Sequence, residues 1–351
     1  MPALGHSQAN GSRRVPTGIR SALLGAVVSA AIIAVTVSAL ELLLRLLPAD
    51  RESIVHQYEG KHFVLDEGGF YRGAPGRKPV VATHGADARI VYSTVYTFDE
   101  RGRRVTPIAD TAERDRFAVF LGGSFTLGEG VADDETLPYY FGAQTSRFVP
   151  YNYGFHGAGP FDALARLDSP RFEDEIPERN GLGFFMFIDS HIERVIGSSR
   201  IVGWHRNQAH YRRRADGSFE RDGTFATAHP VLDFAYSLLA SSRTAGVLGL
   251  QLPPRTTDAH RDTTAAALAA VRDRFLAHYP RAELYIVMFP VTVEGEAMAR
   301  RFEAMGIPYL HHPNLFDPLG DRWKLAPEEL HASAAAYRLI ANAIVADLSL
   351  D

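Results

Sequence analysis

A serine and a histidine far apart in the chain are the residues whose types and positions best suit chemistry. Ser124 follows the apolar run Phe117–Leu121 directly after two glycines. An apolar run that stops at glycine predicts a buried strand delivering the serine to a sheet edge, where glycine lets the backbone turn sharply. A serine hydroxyl is a weak nucleophile unless a base takes its proton. His331, just before the helically patterned segment Ala332–Leu348, is the predicted base.

Two carboxylates stand immediately before this histidine, at Glu328 and Glu329. A carboxylate two or three residues before a histidine can hydrogen-bond one ring nitrogen and leave the other free to act as a base. Acidic residues are also common at the start of a helix, where their negative charge interacts favourably with the helix dipole. The residues alone therefore leave the choice between the two glutamates open.

Two further segments could hold the negative charge that develops on an attacked carbonyl oxygen. The predicted strand Val149–Tyr153 runs into the glycine-rich loop Gly154–Pro160, whose amides could point into a cleft beside the serine. The predicted strand Gly183–Ile188 is followed by polar residues that include Ser190 and His191. These could face the same cleft or cap the next helix.

The elements that must position these residues alternate between strand and helix from Arg116 onward. Such alternation predicts a parallel sheet covered by helices on both faces, and hence an α/β protein. Between about residues 196 and 262 the alternation is interrupted by an expected insertion, with a predicted hairpin at Ala209–Asp222. The other predicted strands are Glu283–Phe289 and Pro308–His311, and the predicted helices are Leu137–Thr145, Pro160–Leu167, Leu232–Leu248, Thr263–His278, Glu294–Met305 and Ala332–Leu348.

These segments, in this order, resemble the SGNH/GDSL esterase–acyltransferase superfamily, in particular its membrane-anchored bacterial members. Gly122-Gly123-Ser124 resembles the first block of that superfamily, and Asn152–Gly157 is similar to the second. Glu328–Ser333 resembles the final block, which carries an acid and a histidine. The third block departs from the pattern, because Asp189-Ser190-His191 stands where the family has Gly-x-Asn-Asp.

The resemblance implies a three-layer α/β/α domain that performs ester chemistry through an acyl-enzyme. It implies Ser124 as nucleophile and His331 as base, with Glu328 favoured over Glu329 because the family commonly spaces its acid three residues before the histidine. The amides of Ser124 and Gly157 would bind the oxyanion, with Ser190 or His191 as the nearby donors in place of the family's asparagine. No metal or organic cofactor is expected.

The N-terminal region predicts a membrane segment. Residues 21–47 are almost entirely Ala, Val, Ile and Leu, long enough to cross ~30 Å of hydrocarbon. Arg13, Arg14 and Arg20 precede the uncharged part of this run, which ends at Leu40, and Arg45 and Arg51 lie beyond it. The positive-inside rule therefore places the N-terminus in the cytoplasm. A cleaved signal peptide is the main competitor, since small residues occur near 37–39. The predicted organisation is a cytoplasmic leader at 1–20, an anchor at 21–47, a stalk and preamble at 48–115, and an exported catalytic domain at 116–351.

Composition excludes several other classes of function. The chain has no cysteine, and its net charge of −4 comes without a basic stripe, so neither thiolate chemistry nor nucleic-acid binding is supported. The gaps of 5 and 19 residues between His205, His210 and His229 match no helical metal motif.

The sequence therefore predicts an exported serine esterase or O-acyltransferase. Its expected substrate is an acylated carbohydrate or a small ester, with acetyl on an envelope or extracellular glycan as the expected example. Hydrolysis and transfer are not separated. The alternative is a catalytically weak relative that binds glycans or serves as an assembly subunit, which the altered third block favours.

Overall fold

The computed structural model describes residues 17–47, 54–317 and 320–350. Most of the predicted leader lies outside these residues. The first helix, α1 (Thr17–Leu46), contains a span at Leu24–Leu46 with a mean hydropathy of 2.4 and no buried part. At about 1.5 Å per residue this span is long enough to cross a bilayer. A signal sequence would pass the same test, so the retained anchor stays a prediction.

Residues 54–98, assigned above to the stalk and preamble, contain five strands. β1 (Ile54–Tyr58), β4 (Gly76–His84) and β5 (Ile90–Phe98) form an antiparallel sheet in the order β1-β4-β5. Between its first two strands, β2 (Phe63–Leu65) and β3 (Tyr71–Gly73) form a separate two-stranded sheet. Within this segment the sequence predicts a strand only at the β-rich run Ala88–Phe98, which contains β5.

The remaining elements follow the predicted alternation closely. The strands are β6 (Arg116–Leu121), β7 (Phe148–Asn152), β8 (Gly181–Phe187), β9 (Ala209–Arg213), β10 (Phe219–Thr224), β11 (Glu283–Met288), β12 (Tyr309–His311), β13 (Lys324–Ala326) and β14 (Glu329–Ala332). The helices are α2 (Ser124–Leu127), α3 (Leu137–Gln144), α4 (Pro160–Leu167), α5 (Ser190–Ile196), α6 (Val202–His205), α7 (Phe225–Ala228), α8 (Pro230–Ser241), α9 (Arg243–Val247), α10 (Asp258–His278), α11 (Gly295–Ala304) and α12 (Ala334–Asp347).

Five strands form a parallel sheet in the order β12-β11-β8-β6-β7, with helices on both faces. Successive residues of β6 point to opposite faces, so Phe117 and Val119 pack with α4, α5, α10 and α11. Ala118 and Phe120 pack with α3 and α12 on the other face. The fold-class prediction of a three-layer α/β/α protein with a parallel sheet is confirmed.

The insertion contains the predicted hairpin, because β9 and β10 pair antiparallel. The single helix predicted over Leu232–Leu248 is instead two helices, α8 and α9. The break lies at Ser242, whose hydroxyl caps α9 by accepting from the Ala245 amide.

The contacts divide the described residues into two units, the first made of α1 with residues Ser242–Gly249 and the second of the other described residues. Within the first unit, Glu41 of α1 accepts hydrogen bonds from the Arg243 and Thr244 amides.

Candidate active site

Ser124 lies where the sequence predicted, at the carboxyl end of a buried parallel strand. It is the first residue of α2, two glycines after β6, and is 7% exposed. Gly122 has a φ of +140°, and a Cβ there would lie 2.4 Å from Thr126 Oγ1. This turn therefore needs glycine, and it sets the serine at the edge of the sheet.

His331 reaches this serine from the other end of the chain. Its Nε2 lies 2.8 Å from Ser124 Oγ, and its Nδ1 lies 2.6 Å from Glu329 Oε1. The ring is bonded on one side to a carboxylate and on the other to a hydroxyl. This arrangement can hold the tautomer in which Nε2 accepts the serine proton.

The prediction that Glu328 contacts His331 is wrong. The sequence placed this segment at a helix start, whereas Glu329–Ala332 is strand β14, paired with β13. Residues two apart on a strand share a face, so Glu329 and His331 lie side by side. Glu328 precedes the strand and instead accepts a hydrogen bond from Arg89. This bond lowers the pKa of Glu328.

A second buried carboxylate, which sequence reasoning missed, faces the same histidine. Glu129 is 5% exposed, and its Oε2 lies 3.4 Å from His331 Nε2 and 2.9 Å from His156 Nδ1. Its Oε1 lies 3.3 Å from Nε2 of His56 on β1. The available signal was an acidic residue between two glycines, five positions after the candidate nucleophile.

The two carboxylates change the charge balance of His331. Burial alone would lower the pKa of His331, but the negative charge of Glu129 and the hydrogen bond and charge of Glu329 outweigh it, so the pKa is raised. Burial would likewise raise the pKa of Glu129, yet the charges of His156 and His331 lower it. The site therefore favours an imidazolium between two carboxylates, the species that exists after the serine proton has been taken.

The second predicted loop also reaches the site. Gly157 has a φ of +68° and lines the same cavity as Ser124. The Asn152 side chain donates to the Leu127 carbonyl, 3.2 Å away, and accepts from the Gly154 amide at 2.9 Å. These two bonds tie the loop after β7 to the end of the serine helix, which fixes the distance between them.

The structure does not bring Ser190 into the cavity. The Ser190 hydroxyl is buried without a hydrogen-bond partner. Ser190 is not one of the residues that line the cavity. Asp189, just before it, accepts from the Val293 and Glu294 amides on a neighbouring loop. The side chain of α5 that lines the cavity is Arg194, one turn beyond the segment examined in the sequence.

The cavity beside Ser124 has a volume of about 430 Å³. The N-terminal strands supply part of its wall through His62, Phe63 and Tyr71, a contribution that the stalk prediction did not anticipate. Burial lowers the pKa of His62 to about 4, so this ring is neutral at physiological pH. The remaining lining residues are Glu129, Phe155, His156, Gly157, Arg194, Trp204, Gln208 and His331.

Arg104 is a buried residue that shapes the site without lining it. It is 1% exposed and donates to the carbonyls of Leu127, Gly128 and Val131. These carbonyls surround Glu129, so Arg104 fixes the loop that carries this carboxylate.

The histidines considered for a metal site have other partners. His210 Nδ1 lies 2.7 Å from Asp222 Oδ1, and its ring packs edge-on against His229 at 4.8 Å. His205 is buried. In the residues that the structure describes, no cluster of three histidines or acids is arranged to hold a metal ion.

A scan against protein-family models found no match, and neither did a search of curated proteins. Among solved structures, the chain is similar to a lipolytic protein of the G-D-S-L family from Veillonella parvula, with 12% identity, 67% of this chain and 98% of that chain covered, and a TM-score of 0.38. It is also similar to an acetyl xylan esterase from the rumen bacterium Butyrivibrio proteoclasticus, with 10% identity, coverage of 67% and 63%, and a TM-score of 0.34.

A third similar structure is described as a carbohydrate esterase whose active site displays divergent catalytic and non-catalytic binding functions. Its identity is 11%, coverage is 85% of this chain and 98% of that chain, and the TM-score is 0.38. These descriptions name the class of protein that the sequence blocks resemble.

Proposed function

We propose that this protein is a serine esterase or O-acyltransferase that works through a covalent acyl-enzyme. One observation carries the proposal, namely the continuous hydrogen-bonded chain from Ser124 Oγ through His331 to Glu329. Serine-dependent acyl transfer requires a nucleophile, a base and an orienting acid that lie within hydrogen-bond distance of one another. The Glu329 in this triad replaces the Glu328 of the sequence prediction.

In the proposed reaction, Ser124 Oγ attacks the acyl carbonyl carbon while His331 Nε2 takes the hydroxyl proton. The carbonyl electrons move to oxygen, where the amides of Ser124 and Gly157 stabilise the negative charge. Collapse of this intermediate breaks the ester bond, and His331 returns the proton to the departing alcohol. Water or a second hydroxyl then repeats the steps and releases the acyl group from Ser124.

The cavity supports a carbohydrate ester as substrate. Its wall of neutral His62 and aromatic Phe63, Tyr71 and Trp204 offers apolar faces beside a few polar groups, a combination suited to a sugar ring. An O-acetyl group on an envelope or extracellular glycan fits this description. The apolar span in α1 supports attachment to a membrane, and the arginines that precede it, Arg13, Arg14 and Arg20, support a catalytic domain outside the cytoplasm.

A fluorophosphonate probe, which labels activated serines, tests this proposal on the purified protein. We expect labelling of the wild-type chain and none of Ser124→Ala, together with hydrolysis of p-nitrophenyl acetate by the wild type alone. Added sugar acceptors would divert the acyl group from water if the enzyme is a transferase. A folded wild-type chain that neither labels nor hydrolyses esters would contradict the proposal.

The glycan-binding alternative has one observation in its favour, the altered third block. Ser190 does not take the place of the missing asparagine in the cavity. Two results together would establish this alternative. The protein would bind acetylated glycans in titration calorimetry, and the fluorophosphonate probe would not label Ser124.

Membrane topology is tested separately. Alkaline phosphatase fused after Asp50 should be active only if this region is exported, and the protein should remain in the membrane fraction if α1 is retained. An active cytoplasmic reporter at the same position would contradict the proposed orientation. Release of a soluble mature form would instead support a cleaved signal peptide.

A further inference from the structure

Arg194 is a buried cation without a countercharge in contact. It lies on α5, is 7% exposed, and forms no ion pair within the described residues. Its Nη1 donates to the Ala158 carbonyl at 2.7 Å, its guanidinium lies over the Trp204 ring at 5.5 Å, and its Nε has no hydrogen-bond partner. Buried charges are normally paired or bound to a ligand, so this one requires an explanation.

The guanidinium lies against Gly123, the residue before the candidate nucleophile. A Cβ built on Gly123, the residue before Ser124, would be 2.6 Å from Arg194 Nη1 and 2.9 Å from the Ala158 carbonyl. A side chain at position 123 would therefore displace the arginine. Glycine at this position leaves room for the guanidinium.

Arg194 also lines the cavity, together with Ser124, Gly157 and His331. The cation is close enough for its charge to act on the active-site groups, since it opposes protonation of His331. Burial lowers the pKa of Arg194 to about 10, so it remains charged at neutral pH.

His191, on the same helix, is also near Gly123, where a Cβ would lie 3.5 Å from its Nε2, but it does not reach the cavity. Its Nδ1 accepts from the Ile188 amide at 3.2 Å, and it is not among the residues lining the cavity. Arg194 is therefore the one side chain of α5 that can donate a hydrogen bond into the cavity.

We infer that Arg194 is a catalytic residue that donates to the oxyanion, in the place where the sequence has lost its expected asparagine. This inference rests on the proposed esterase function. As Ser124 Oγ bonds to the acyl carbon and its proton passes to His331, the carbonyl oxygen becomes negative and accepts from the guanidinium and the two amides. When the leaving alcohol departs with that proton, the oxygen returns to a carbonyl and the contact weakens.

A charged donor of this kind acts mainly in the transition state, because the ground-state ester is neutral. Its removal should therefore lower kcat and leave KM nearly unchanged. A purely structural role, in holding the Ala158 carbonyl, would instead appear as lower thermal stability. A role in binding an anionic group of the substrate would raise KM for anionic esters and spare neutral ones.

The test measures kcat and KM for p-nitrophenyl acetate, a neutral ester, with the wild type, Arg194→Ala and Arg194→Lys. We expect Arg194→Ala to lose about 100- to 1,000-fold in kcat, the usual effect of removing one oxyanion donor, with KM changed less than about threefold. Added guanidinium, at concentrations that do not denature the protein, should restore part of the rate. Arg194→Lys keeps the charge and should lose less than the alanine variant.

Arg166→Ala is the matched control. Arg166 is equally buried, at 6% exposed, and stacks on Phe70 at 4.5 Å, but it does not line this cavity. The kcat of Arg166→Ala should stay within about threefold of the wild-type value. Added guanidinium should not change it.

A folded Arg194→Ala protein with wild-type kcat would overturn the inference while leaving the esterase proposal intact. A fall in kcat that guanidinium does not restore, matched by an equal fall in the Arg166 control, would also overturn it. If Arg194→Ala does not fold, Arg194→Met, which keeps much of the side-chain volume and removes both the charge and the donors, takes its place, and a folded Arg194→Met protein with wild-type kcat would overturn the inference. A wild-type chain without esterase activity would instead reject the proposed function and this inference together.

Discussion

The parallel α/β core and the N-terminal strands both line the cavity, but they bring different kinds of side chain to it. The core places the hydroxyl of Ser124 at the end of β6, between β7 and β8, and the ring of His331 meets this hydroxyl from β14, directly before α12. The strands β2 and β3 supply rings, Phe63 and Tyr71, from a two-stranded sheet of their own. The reacting groups thus lie at the end of the parallel sheet and on the strand before the last helix, and two rings of the wall come from a separate two-stranded sheet. We expect changes in the core to affect kcat and changes in the wall to affect KM.

The largest expected effect separates the core from the wall. Ser124→Ala and His331→Ala should each lower kcat for an ester at least about 1,000-fold, and the double variant should lose little more, because members of one triad fail together. Steady-state kinetics on folded variants, checked by thermal melting, measure this. Losses that multiply in the double variant would mean that the two residues act independently.

Within the core, the adjacent glutamates form a matched pair. Glu329→Gln should lower kcat at least tenfold, because its carboxylate holds the His331 ring at 2.6 Å. Glu328→Gln should stay within about threefold, since it removes only a surface ion pair with Arg89. Both variants are measured with the same ester. Equal and small effects would leave His331 without an orienting acid.

A smaller effect concerns the pH dependence and Glu129. His331 must be neutral to accept the serine proton, and its raised pKa places the acidic limb of kcat/KM above the pH where an ordinary histidine titrates. Glu129→Gln removes a negative charge 3.4 Å from Nε2, so the pKa of His331 should fall and the limb should move to lower pH. Glu328→Gln is the control and should leave the limb in place. A limb that stays fixed or moves upward in Glu129→Gln would show that this carboxylate does not act on the base.

The smallest expected effect tests the wall directly. Phe63→Ala and Tyr71→Ala should raise KM for an acetylated sugar several-fold while kcat changes little, because the rings contact the bound substrate equally before and during reaction. Leu65→Ala on the same strand is the control, as Leu65 does not line the cavity. If kcat of Phe63→Ala or Tyr71→Ala fell as far as kcat of the Ser124 and His331 variants, the proposed difference in role between the wall and the core would be wrong.

Local patterns in the sequence were sufficient to predict much of this architecture. The alternation of apolar strands and patterned helices predicted the parallel sheet, because burial on both faces of a strand requires a continuous apolar run. The glycines before Ser124 and the final helix after His331 placed the candidate nucleophile and base. These signals are local, since each depends on residues within a few positions of one another.

The tertiary structure alone decided which other side chains join them. Whether Glu328 or Glu329 faces His331 depends on the pairing of β14 with β13, which fixes the strand conformation and its alternation. Glu129 meets His56, and Arg194 lies beside Gly123, through contacts between segments far apart in the chain. Spacing along one sequence carries no record of such contacts, because they arise only when the packed elements close around the cavity.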